Sequence, residues 1–397
     1  MKTELEKKNE LIARAILGQK WLSQKKIMEE LHLYYRSREE KSSFLEYLKK
    51  KRLLSHSQAN SLQKWLSSLE QMPALLGGVF QKYRILKEIG QGGMGKVFLA
   101  EDLDLNRKIA LKICAFQEPS LAMRFIRESR IGSYLEHPSV PPIYEIGKTP
   151  DGRLFMAMKY IQGSPLNKII QEAKTSPATS SWTSLNKRLS LFAKILEGIA
   201  YAHSKKVIHR DLKPENIMVG EFGEVVILDW GLAKRVEEDE SSSLETSLSK
   251  NSQFIDKTQV GTVFGTYGYM SPEQARGDEE LDYYTDIYSL GAILYELVCY
   301  QPPFGKGSKE EILMNTVKNL FPFPTTINPK LPKSLEAIIL KAMATDKEAR
   351  YDSAQEFLVD LQRWLEGEFP LVYLPSWKEK TSLFFKKHVG ILAGLLA

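Results

Sequence analysis

The stretch VIHRDLKPENIMV, residues 207–219, contains polar side chains with the types and spacing that phosphate chemistry requires. Asp211 can accept or orient the proton of a hydroxyl group, and Lys213 can contact a γ-phosphate. Asn216 supplies a neutral oxygen and Asp229 a charged one, and oxygen atoms are the ligands that Mg²⁺ prefers. Each residue alone could be an ordinary surface polar group. Their occurrence together in this order predicts a site for phosphate and metal.

The stretch EIGQGGMGKVFLA supplies a second phosphate-binding feature, because Gly90, Gly92 and Gly95 follow the pattern GxGxxG. Glycines let backbone N–H groups approach phosphates closely, since no Cβ stands in the way. Dinucleotide-binding folds use the same pattern, but there a helix follows the glycine turn. Here the strand-like KVFLAED follows, so the sequence favours a hairpin that closes over phosphates.

A lysine on the next predicted strand could complete the phosphate site. Lys112 lies in the apolar stretch IALK, and Glu128 in the helical RFIRESR is its candidate partner. A Lys–Glu pair would hold the ammonium group against the α- and β-phosphates. A lone Lys in such a strand usually points to solvent, and Arg124, Arg127 and Arg130 are rival partners for Glu128.

Period-two alternation of apolar residues places Lys112 and the glycines in a β-rich region that begins at Tyr83. YRILKEIG, KVFLAEDL, KIALKICAF and RLFMAMKYIQG are typical of strands, with a hairpin turn at TPDG and one helix over roughly 119–136. After Gly163 the pattern is mostly helical up to Gly367. The sequence therefore predicts an α+β fold with two lobes, a β-rich lobe followed by an α-rich lobe.

Residues 1–72 have helical spacing with almost no Gly or Pro, which predicts an all-helical extension. LGQKWLSQKKIMEEL and KKKRLLSHSQANSLQKWL share a shape at an offset of 32 residues, and Ser23 and Ser55 suit N-cap positions. A twice-repeated helix-turn-helix unit is one interpretation. Residues 73–82 contain Pro and Gly and are expected to form a linker.

The formal net charge of +6 lies entirely in residues 1–72, which hold 15 Lys and Arg against nine Glu. This excess could bind an acidic partner or an anionic lipid surface, and the alternative is a solvated helical face. No nucleic acid partner is expected. Two cysteines are too few for a disulfide framework, and the charged N-terminus lacks a signal sequence. A cytoplasmic setting is therefore expected.

The end of the chain has the composition of a membrane-proximal segment. Residues 368–388 are expected to form a basic juxtamembrane segment, and residues 389–397 are an uncharged apolar run. A membrane span needs about 20 residues, so this run is either the start of a truncated transmembrane helix or an apolar tail. Membrane association through the C-terminus is the expectation, because basic residues before the run fit a cytoplasmic flank.

Residues 83–367 resemble a eukaryotic-like (Hanks-type) protein kinase, and are most similar to the bacterial serine/threonine kinases. GTYGYMSPEQARG is similar to the substrate-binding P+1 loop and the segment after it, with Ser271 where Ala is usual. Asp286 in TDIYSLGAILYEL is similar to the aspartate that anchors the catalytic loop. Arg350 is similar to the arginine that pairs with Glu273. The resemblance implies a two-lobed protein kinase fold.

The resemblance also implies ATP as phosphate donor and Mg²⁺ as cofactor, with Mn²⁺ as the alternative ion. It assigns catalysis to Asp211 and Lys213 together with the Lys112–Glu128 pair, and it assigns metal binding to Asn216 and Asp229. Besides Lys112 and the three glycines, the implied ATP site contains four residues around the adenine, the gatekeeper and two hinge residues: Ile89, Val97, Ala110, Met218, Met158, Lys159 and Ile161.

The implied phosphate acceptor is a protein Ser or Thr hydroxyl. A Lys stands two residues after the catalytic Asp, and Thr266 occupies the P+1 position that bridges these two residues in such kinases. Arg210 usually pairs with a phosphorylated activation loop, since phosphate charge and geometry match a guanidinium group. Thr258 and Thr262 are the predicted autophosphorylation sites.

The stretch ILDWGLAK departs from the family pattern, because Trp230 stands where Phe is usual. The metal ligand Asp229 is present, so activity is expected. Trp230 is expected to be an apolar plug whose indole N–H needs a partner, and Gly132 is expected to make room for the larger ring. We expect Trp230 to change the regulation of activity rather than to abolish activity.

The expected function is a signalling serine/threonine protein kinase that is activated by autophosphorylation, with a homodimer as one expected assembly. The alternative is an ATP-binding pseudokinase that acts as a scaffold, with the N-terminal helices as an interaction module. Pseudokinases generally lack one of the residues that bind ATP, metal or the acceptor, and none is missing from this sequence.

Overall fold

The computed structural model of the chain describes residues 9, 12, 13, 16, 21–36, 43–71, 78–92, 95–114, 119–149, 152–176, 180, 182–235, 268–278, 280–305 and 307–381. The chain divides into two compact units. Met1–Ile126 and Ile143–Tyr160 belong to the first unit, and Arg127–Pro142 and Ile161–Ala397 belong to the second.

The first unit contains a six-stranded antiparallel sheet. Its strands are β1 (Val79–Phe80), β2 (Tyr83–Gly92), β3 (Gly95–Asp102), β4 (Arg107–Cys114), β5 (Ile143–Lys148) and β6 (Leu154–Lys159). They lie in the order β1-β2-β3-β4-β6-β5. The four stretches with period-two alternation are β2, β3, β4 and β6, so the sequence pattern predicted the centre of the sheet but not its two edges.

The centre of one face of this sheet is buried, and we call this face the covered face. Residues directly opposite one another in neighbouring strands point to the same side of a sheet. The pairings of Phe98 with Leu111, of Ala100 with Ile109 and of Ile113 with Phe155 therefore define one face. Its members are less than 2% exposed: Phe98, Ala100, Ile109, Leu111, Ile113, Phe155 and Ala157.

Among the described residues ahead of the sheet, three helices have continuous bounds, α1 (Gln24–Arg36), α2 (Phe44–Lys50) and α3 (His56–Gln71), and residues 9, 12, 13 and 16 are also helical. The Ser23 hydroxyl accepts the N–H of Lys26 at 3.3 Å, and the Ser55 hydroxyl accepts the N–H of Gln58 at 3.2 Å. Both bonds satisfy an N–H at the start of a helix that has no partner within the helix. The two predicted N-caps are confirmed.

The turns before α1 and α3 make the same backbone hydrogen bond at an offset of 32 residues. The N–H of Trp21 donates to the Ile16 carbonyl at 3.2 Å, and the N–H of Leu53 donates to the Leu48 carbonyl at 3.1 Å. Together with the two serine caps, these bonds support a twice-repeated helix-turn-helix unit. The repeat stays a proposal.

The N-terminal helices and the covered face share one hydrophobic cluster. Phe44 and Leu48 of α2 belong to this cluster, as do Ile27 of α1 and Leu62 of α3. The cluster continues through all seven residues of the covered face. An amphipathic helix has to bury its apolar stripe against something, and here the helices and the sheet bury each other.

The second unit is mostly helical. Helix α4 (Pro119–Tyr134) has residues in both units, and the others are α5 (Leu166–Thr175), α6 (Leu185–Ser204), α7 (Pro272–Arg276), α8 (Tyr283–Cys299), α9 (Lys309–Val317), α10 (Pro324–Ile327), α11 (Lys333–Ala342) and α12 (Ala354–Leu365). Helix α8 is buried on nearly all sides, which explains its almost continuous apolar sequence.

Within the described part of the second unit, five short strands flank its loops. They are β7 (Gly163–Pro165), β8 (Val207–Ile208), β9 (Ile217–Gly220), β10 (Val225–Ile227) and β11 (Lys234–Arg235). β9 pairs with both β7 and β10, and β8 pairs with β11. These pairings fix the two ends of the stretch from 207 to 219 and the beginning of the loop that contains Asp229.

The predicted α+β class and its order, a β-rich part followed by an α-rich part, are confirmed. Thr258, Thr262, Thr266 and the apolar run 389–397 lie outside the described residues. Among the residues that are described, no helix has both the length and the apolar character needed to cross a bilayer.

Candidate active site

The loop of residues 209–216 is organised around Asp211. Lys213 Nζ donates to Asp211 Oδ2 at 2.7 Å, and Asn216 Nδ2 donates to the Asp211 backbone carbonyl at 2.9 Å. The same amide nitrogen lies 3.4 Å from Asp211 Oδ2. Three of the predicted site residues are therefore in contact, and the orientation of the carboxylate is set by a cation and an amide.

A buried aspartate holds the backbone of this loop. The carboxylate of Asp286 accepts the N–H groups of His209 and Arg210 at 2.8 and 2.9 Å, and His203 Nε2 lies 2.9 Å from it. Burial acts to raise the pKa of Asp286, but the hydrogen bonds and charge of His203 and the contacts of His209 outweigh it, so the pKa is lowered. The predicted anchoring role of Asp286 is confirmed.

His209 connects the loop to the strand that leads to Asp229. Its buried ring accepts the Asp211 N–H at Nδ1 at 3.3 Å, and its Nε2 lies 3.1 Å from the Leu228 carbonyl. With Nδ1 as the acceptor, Nε2 is the ring nitrogen that donates to the Leu228 carbonyl. The sequence analysis did not assign a role to His209. The only signal was its place directly before Arg210 and Asp211.

The two predicted metal ligands lie on adjoining backbone. The N–H of Leu228 donates to the Asn216 carbonyl at 2.7 Å, and Asp229 follows with φ 62° and ψ 66°. This left-handed conformation is costly for a residue with a side chain and is typical of functional positions. The Asn216 amide nitrogen binds Asp211, so the Asn216 side-chain oxygen is the atom suited to a hard cation.

This donor set fits Mg²⁺ or Mn²⁺ that is shared with a nucleotide. Within the described ranges, no group of three or more His, Cys, Asp or Glu side chains is placed to hold a metal ion. An ion bound by one carboxylate and one amide oxygen needs further oxygen ligands, and Mg²⁺ usually takes these from phosphates and water.

Trp230 is almost completely buried directly after Asp229. Its Nε1–H donates to the Ile227 carbonyl at 3.1 Å, and its ring centroid lies 4.6 Å from that of His209. It belongs to the same hydrophobic cluster as Ile131 of α4 and Leu135, which follows that helix. The expected hydrogen-bond partner for the indole is thus present. The expectation that Gly132 makes room for the ring stays a prediction.

In the first unit, four predicted ATP-site residues share the sheet face opposite the covered face. β-pairing places Val97 opposite Lys112 and Ala110 opposite Met158, and Lys112 and Ala110 are two residues apart on β4. Gly90 pairs with Val97 and therefore lies on the same face of the sheet. A Cβ on Gly90 would meet only the Val97 Cβ, at 3.9 Å. No neighbouring protein atom therefore requires a glycine at position 90. A glycine there instead suits the close approach of a ligand to the backbone.

Several predicted contacts join residues of different units and stay predictions. Lys112 belongs to the first unit and Glu128 to the second. The remaining ATP-site residues are divided in the same way, with Ile89, Gly92, Gly95 and Lys159 in the first unit and Ile161 and Met218 in the second. Lys159 pairs with Ile109, so its side chain points to the covered side of the sheet.

The comparison with known proteins follows the same residues. A sequence profile of the protein kinase domain matches residues 83–361, which is well over half of the chain. The chain belongs to the protein kinase family. It is 38% identical over 325 residues to the serine/threonine-protein kinase PknD of Protochlamydia amoebophila, a match that covers 78% of this chain and 33% of that relative.

A second relative is the serine/threonine-protein kinase PknD of Chlamydia caviae, which is 36% identical over 314 residues, covering 76% of this chain and 32% of the relative. The predicted resemblance to bacterial serine/threonine kinases is thus confirmed. The chain spans about a third of the length of these curated relatives.

The departure of this kinase from the family pattern at Ser271 has a structural reason. Ser271 caps α7 by accepting the N–H of Gln274, and the Gln274 side chain accepts the N–H of Ser271 in return. Gln274 Nε2 also donates to the Arg210 carbonyl at 2.8 Å. Gln274 therefore links α7 to the loop of residues 209–216. The sequence analysis did not find it, although S-x-x-Q is a capping-box signal.

The predicted pair of Glu273 and Arg350 is confirmed as a buried, two-bond ion pair. Arg350 Nη1 and Nη2 lie 2.7 and 2.9 Å from the two Glu273 oxygens. Burial acts to raise the pKa of Glu273, but the hydrogen bonds and charge of Arg350 outweigh it and lower the pKa. The ionised pair therefore stabilises the fold above the pKa of unfolded Glu, about 4.3, and this contribution is lost as pH falls through the lower folded value.

Arg350→Met is expected to lower the free energy of unfolding by about 3–5 kcal/mol, because it leaves the Glu273 carboxylate buried without its cation. Urea unfolding at pH 7 measures the loss. The difference from the unchanged protein should shrink as pH is lowered towards 3, since Glu273 then takes up a proton. The exposed pair of Arg276 and Asp278, 2.9 Å apart, supplies the control. Arg276→Met should cost less than about 1 kcal/mol, and equal losses would contradict the assignment.

Trp230→Phe is expected to keep kinase activity within about tenfold while costing about 1–2 kcal/mol of stability, because it removes one hydrogen bond and some buried surface but leaves Asp229. Initial phosphorylation rates and thermal unfolding measure the two effects. Trp364→Phe is the matched control, since the Trp364 Nε1–H donates to Ser334 at the same distance of 3.1 Å. A loss of activity beyond about a hundredfold in Trp230→Phe alone would show that the indole itself is needed.

Proposed function

We propose that this chain transfers the γ-phosphoryl group of ATP to Ser and Thr hydroxyls of proteins. The observation that carries the proposal is the loop in which Lys213 and Asn216 both contact Asp211. Such a loop can orient an acceptor hydroxyl, and phosphoryl transfer depends mostly on positioning and charge. The names of the relatives support a serine/threonine acceptor.

Each residue of the loop has a separate part in the proposed reaction. The Asp211 carboxylate orients the acceptor hydroxyl and takes its proton as the acceptor oxygen bonds to the γ-phosphorus. The bond from that phosphorus to the β–γ bridging oxygen breaks in the same step, and ADP leaves. The Lys213 ammonium lies against that carboxylate, and from there it can also contact the transferred phosphoryl group. The backbone N–H groups fixed by Asp286 keep this geometry from relaxing.

The first unit would hold the nucleotide through its glycine-rich hairpin and the face of its sheet. Backbone N–H groups between Gly90 and Gly95 would bind phosphate oxygens, and Lys112 would contact the α- and β-phosphates. Val97 and Ala110 would contact the adenine. Bound Mg²⁺ or Mn²⁺, held by Asn216 and Asp229, would neutralise phosphate charge.

Incubation of the purified chain of residues 1–397 with Mg-ATP, followed by mapping of phosphorylated residues by mass spectrometry, tests the proposal. We expect phosphate on Ser and Thr residues, including Thr258 and Thr262, and none when EDTA removes divalent ions. No phosphate at any site, with Mg-ATP still raising the melting temperature, would instead support the pseudokinase alternative.

Activation and location complete the proposal. We propose that two copies phosphorylate each other at Thr258 and Thr262, as the resemblance implies.

We also propose contact of the C-terminus with a membrane surface. Leu374 and Trp377 are 92% and 71% exposed directly ahead of the basic and apolar residues 382–397. Trp and Leu beside lysines are typical of a membrane interface, and co-flotation with anionic lipid vesicles tests this contact.

A further inference from the structure

The glycine-rich hairpin of β2 and β3 is crossed by a charged pair close to its turn. Lys96 Nζ lies 2.9 Å from Glu88 Oε2. Lys96 pairs with Ile113 across the strands, so its side chain points to the covered face rather than to the face of Lys112. Only 9% of the Lys96 surface is exposed. The pair therefore lies behind the glycine turn, on the side away from the predicted nucleotide residues.

The pairing of these strands is irregular just where Glu88 lies. The register of β2 against β3 shifts between Ile85 and Lys87 and again between Glu88 and Gly90. An irregular strand pair leaves register less firmly specified than a regular ladder does, and a slip of one residue would move every backbone N–H of the hairpin. A bond between Glu88 and Lys96 spans the second shift and ties the last part of β2 to the start of β3.

The same two strands carry a second charged pair at their other end. Arg84 Nη1 lies 3.1 Å from Glu101 Oε2, and the two side chains are 50% and 29% exposed. Exposed pairs are screened by water and salt and contribute little. The Lys96 side chain is 11% exposed and the Glu88 side chain 36%, so the cation of this pair, although not its carboxylate, is more shielded from water and salt than that of the Arg84–Glu101 pair. The hairpin thus offers two pairs that differ in burial and in distance from the turn.

We propose that Glu88 and Lys96 are positioning residues for ATP, because their ion pair fixes the register of the glycine-rich hairpin and so aligns its backbone N–H groups with the phosphates. The proposal rests on the proposed function. Neither side chain is required to touch the nucleotide. Their effect passes through the paired backbone of Gly90, Gln91, Gly92 and Gly95.

Lys96→Met and Glu88→Gln test the proposal, since both keep side-chain length and remove the ion pair. We expect the KM for ATP and the dissociation constant of the nucleotide to rise about three- to tenfold, with kcat within about twofold of the unchanged kinase. The charge-swapped double variant, Glu88→Lys with Lys96→Glu, should recover at least half of the lost affinity. Arg84→Met and Glu101→Gln are the matched controls and should leave both constants unchanged.

Three results would overturn the proposal. The first is an unchanged KM and nucleotide affinity in Lys96→Met and Glu88→Gln. The second is an equal effect of the Arg84 and Glu101 variants, which would mean that any charged pair merely stabilises the strands. The third is a failure of the swapped variant to recover affinity while its melting temperature matches that of the unchanged kinase. Nucleotide titration needs no phosphotransfer, so it tests the role of the pair even if the chain binds ATP without transferring phosphate.

Discussion

Asp211→Asn is expected to lower phosphotransfer by at least about a thousandfold while leaving the fold and the nucleotide affinity intact. An amide can keep a contact with Asn216 and Lys213, but it cannot accept the proton of the acceptor hydroxyl at neutral pH. The loop backbone should stay in place, because Asp286 and not Asp211 holds it. Initial rates of phosphate incorporation from labelled ATP measure the loss.

The control for this variant is Asp346→Asn, which removes a carboxylate from an exposed position of the same unit, at the start of a short 3-10 helix to which its side chain makes no capping hydrogen bond. Its rate should match that of the unchanged kinase. Thermal unfolding with and without Mg-ATP shows whether Asp211→Asn still folds and binds nucleotide. A folded Asp211→Asn protein that keeps more than a tenth of the rate would show that another group takes the proton.

Removal of residues 1–77 is expected to lower the melting temperature by at least about 10 °C or to leave the protein insoluble. The truncated protein begins at Gly78 and loses every helix that shares the hydrophobic cluster of the covered face. Burial of one large apolar side chain contributes about 1.5–3 kcal/mol, and the whole stability of a domain is about 5–15 kcal/mol. Exposure of Phe98, Leu111 and Phe155 alone is therefore a large fraction of the total.

Two neighbouring residues of α1 give a finer form of this test. Ile27 is completely buried and Met28 is 42% exposed. Ile27→Ala should cost about 2–5 kcal/mol, whereas Met28→Ala should cost little. A truncated protein that melts within about 3 °C of the unchanged kinase would mean that the helices are a separable module. That result would favour the interaction-module alternative.

The sequence predicted the grouping of Asp211, Lys213 and Asn216 because this grouping is local, while their catalytic roles stay predictions. Asp211, Lys213 and Asn216 lie within six residues of one another, so their spacing already restricts their geometry. The strands β2, β3, β4 and β6 were predicted for a similar reason, since alternation of apolar residues is a property of each strand by itself. Asp286 and Arg350 were found only through the resemblance, because their partners lie far away in the chain.

The contacts that the sequence did not predict are those between elements that are distant in the chain or that involve backbone groups. Apolar spacing indicates that a helix such as α2 has a face to bury, but it does not indicate what covers that face. His209 and Gln274 act through backbone groups, and backbone carbonyls and N–H groups look the same at every position of a sequence. The Glu88–Lys96 pair depends on a shift in strand register, which no residue type encodes.

The helices that cover the sheet belong to the same polypeptide as the sheet. This connection determines how their contact depends on protein concentration. A tethered group meets its partner at an effective concentration on the order of millimolar, whatever the concentration of the protein. Dilution can remove a cover that is supplied by a second molecule, but it cannot remove α1, α2 and α3 from the covered face. The contribution that these helices make to the stability of the first unit therefore does not depend on protein concentration.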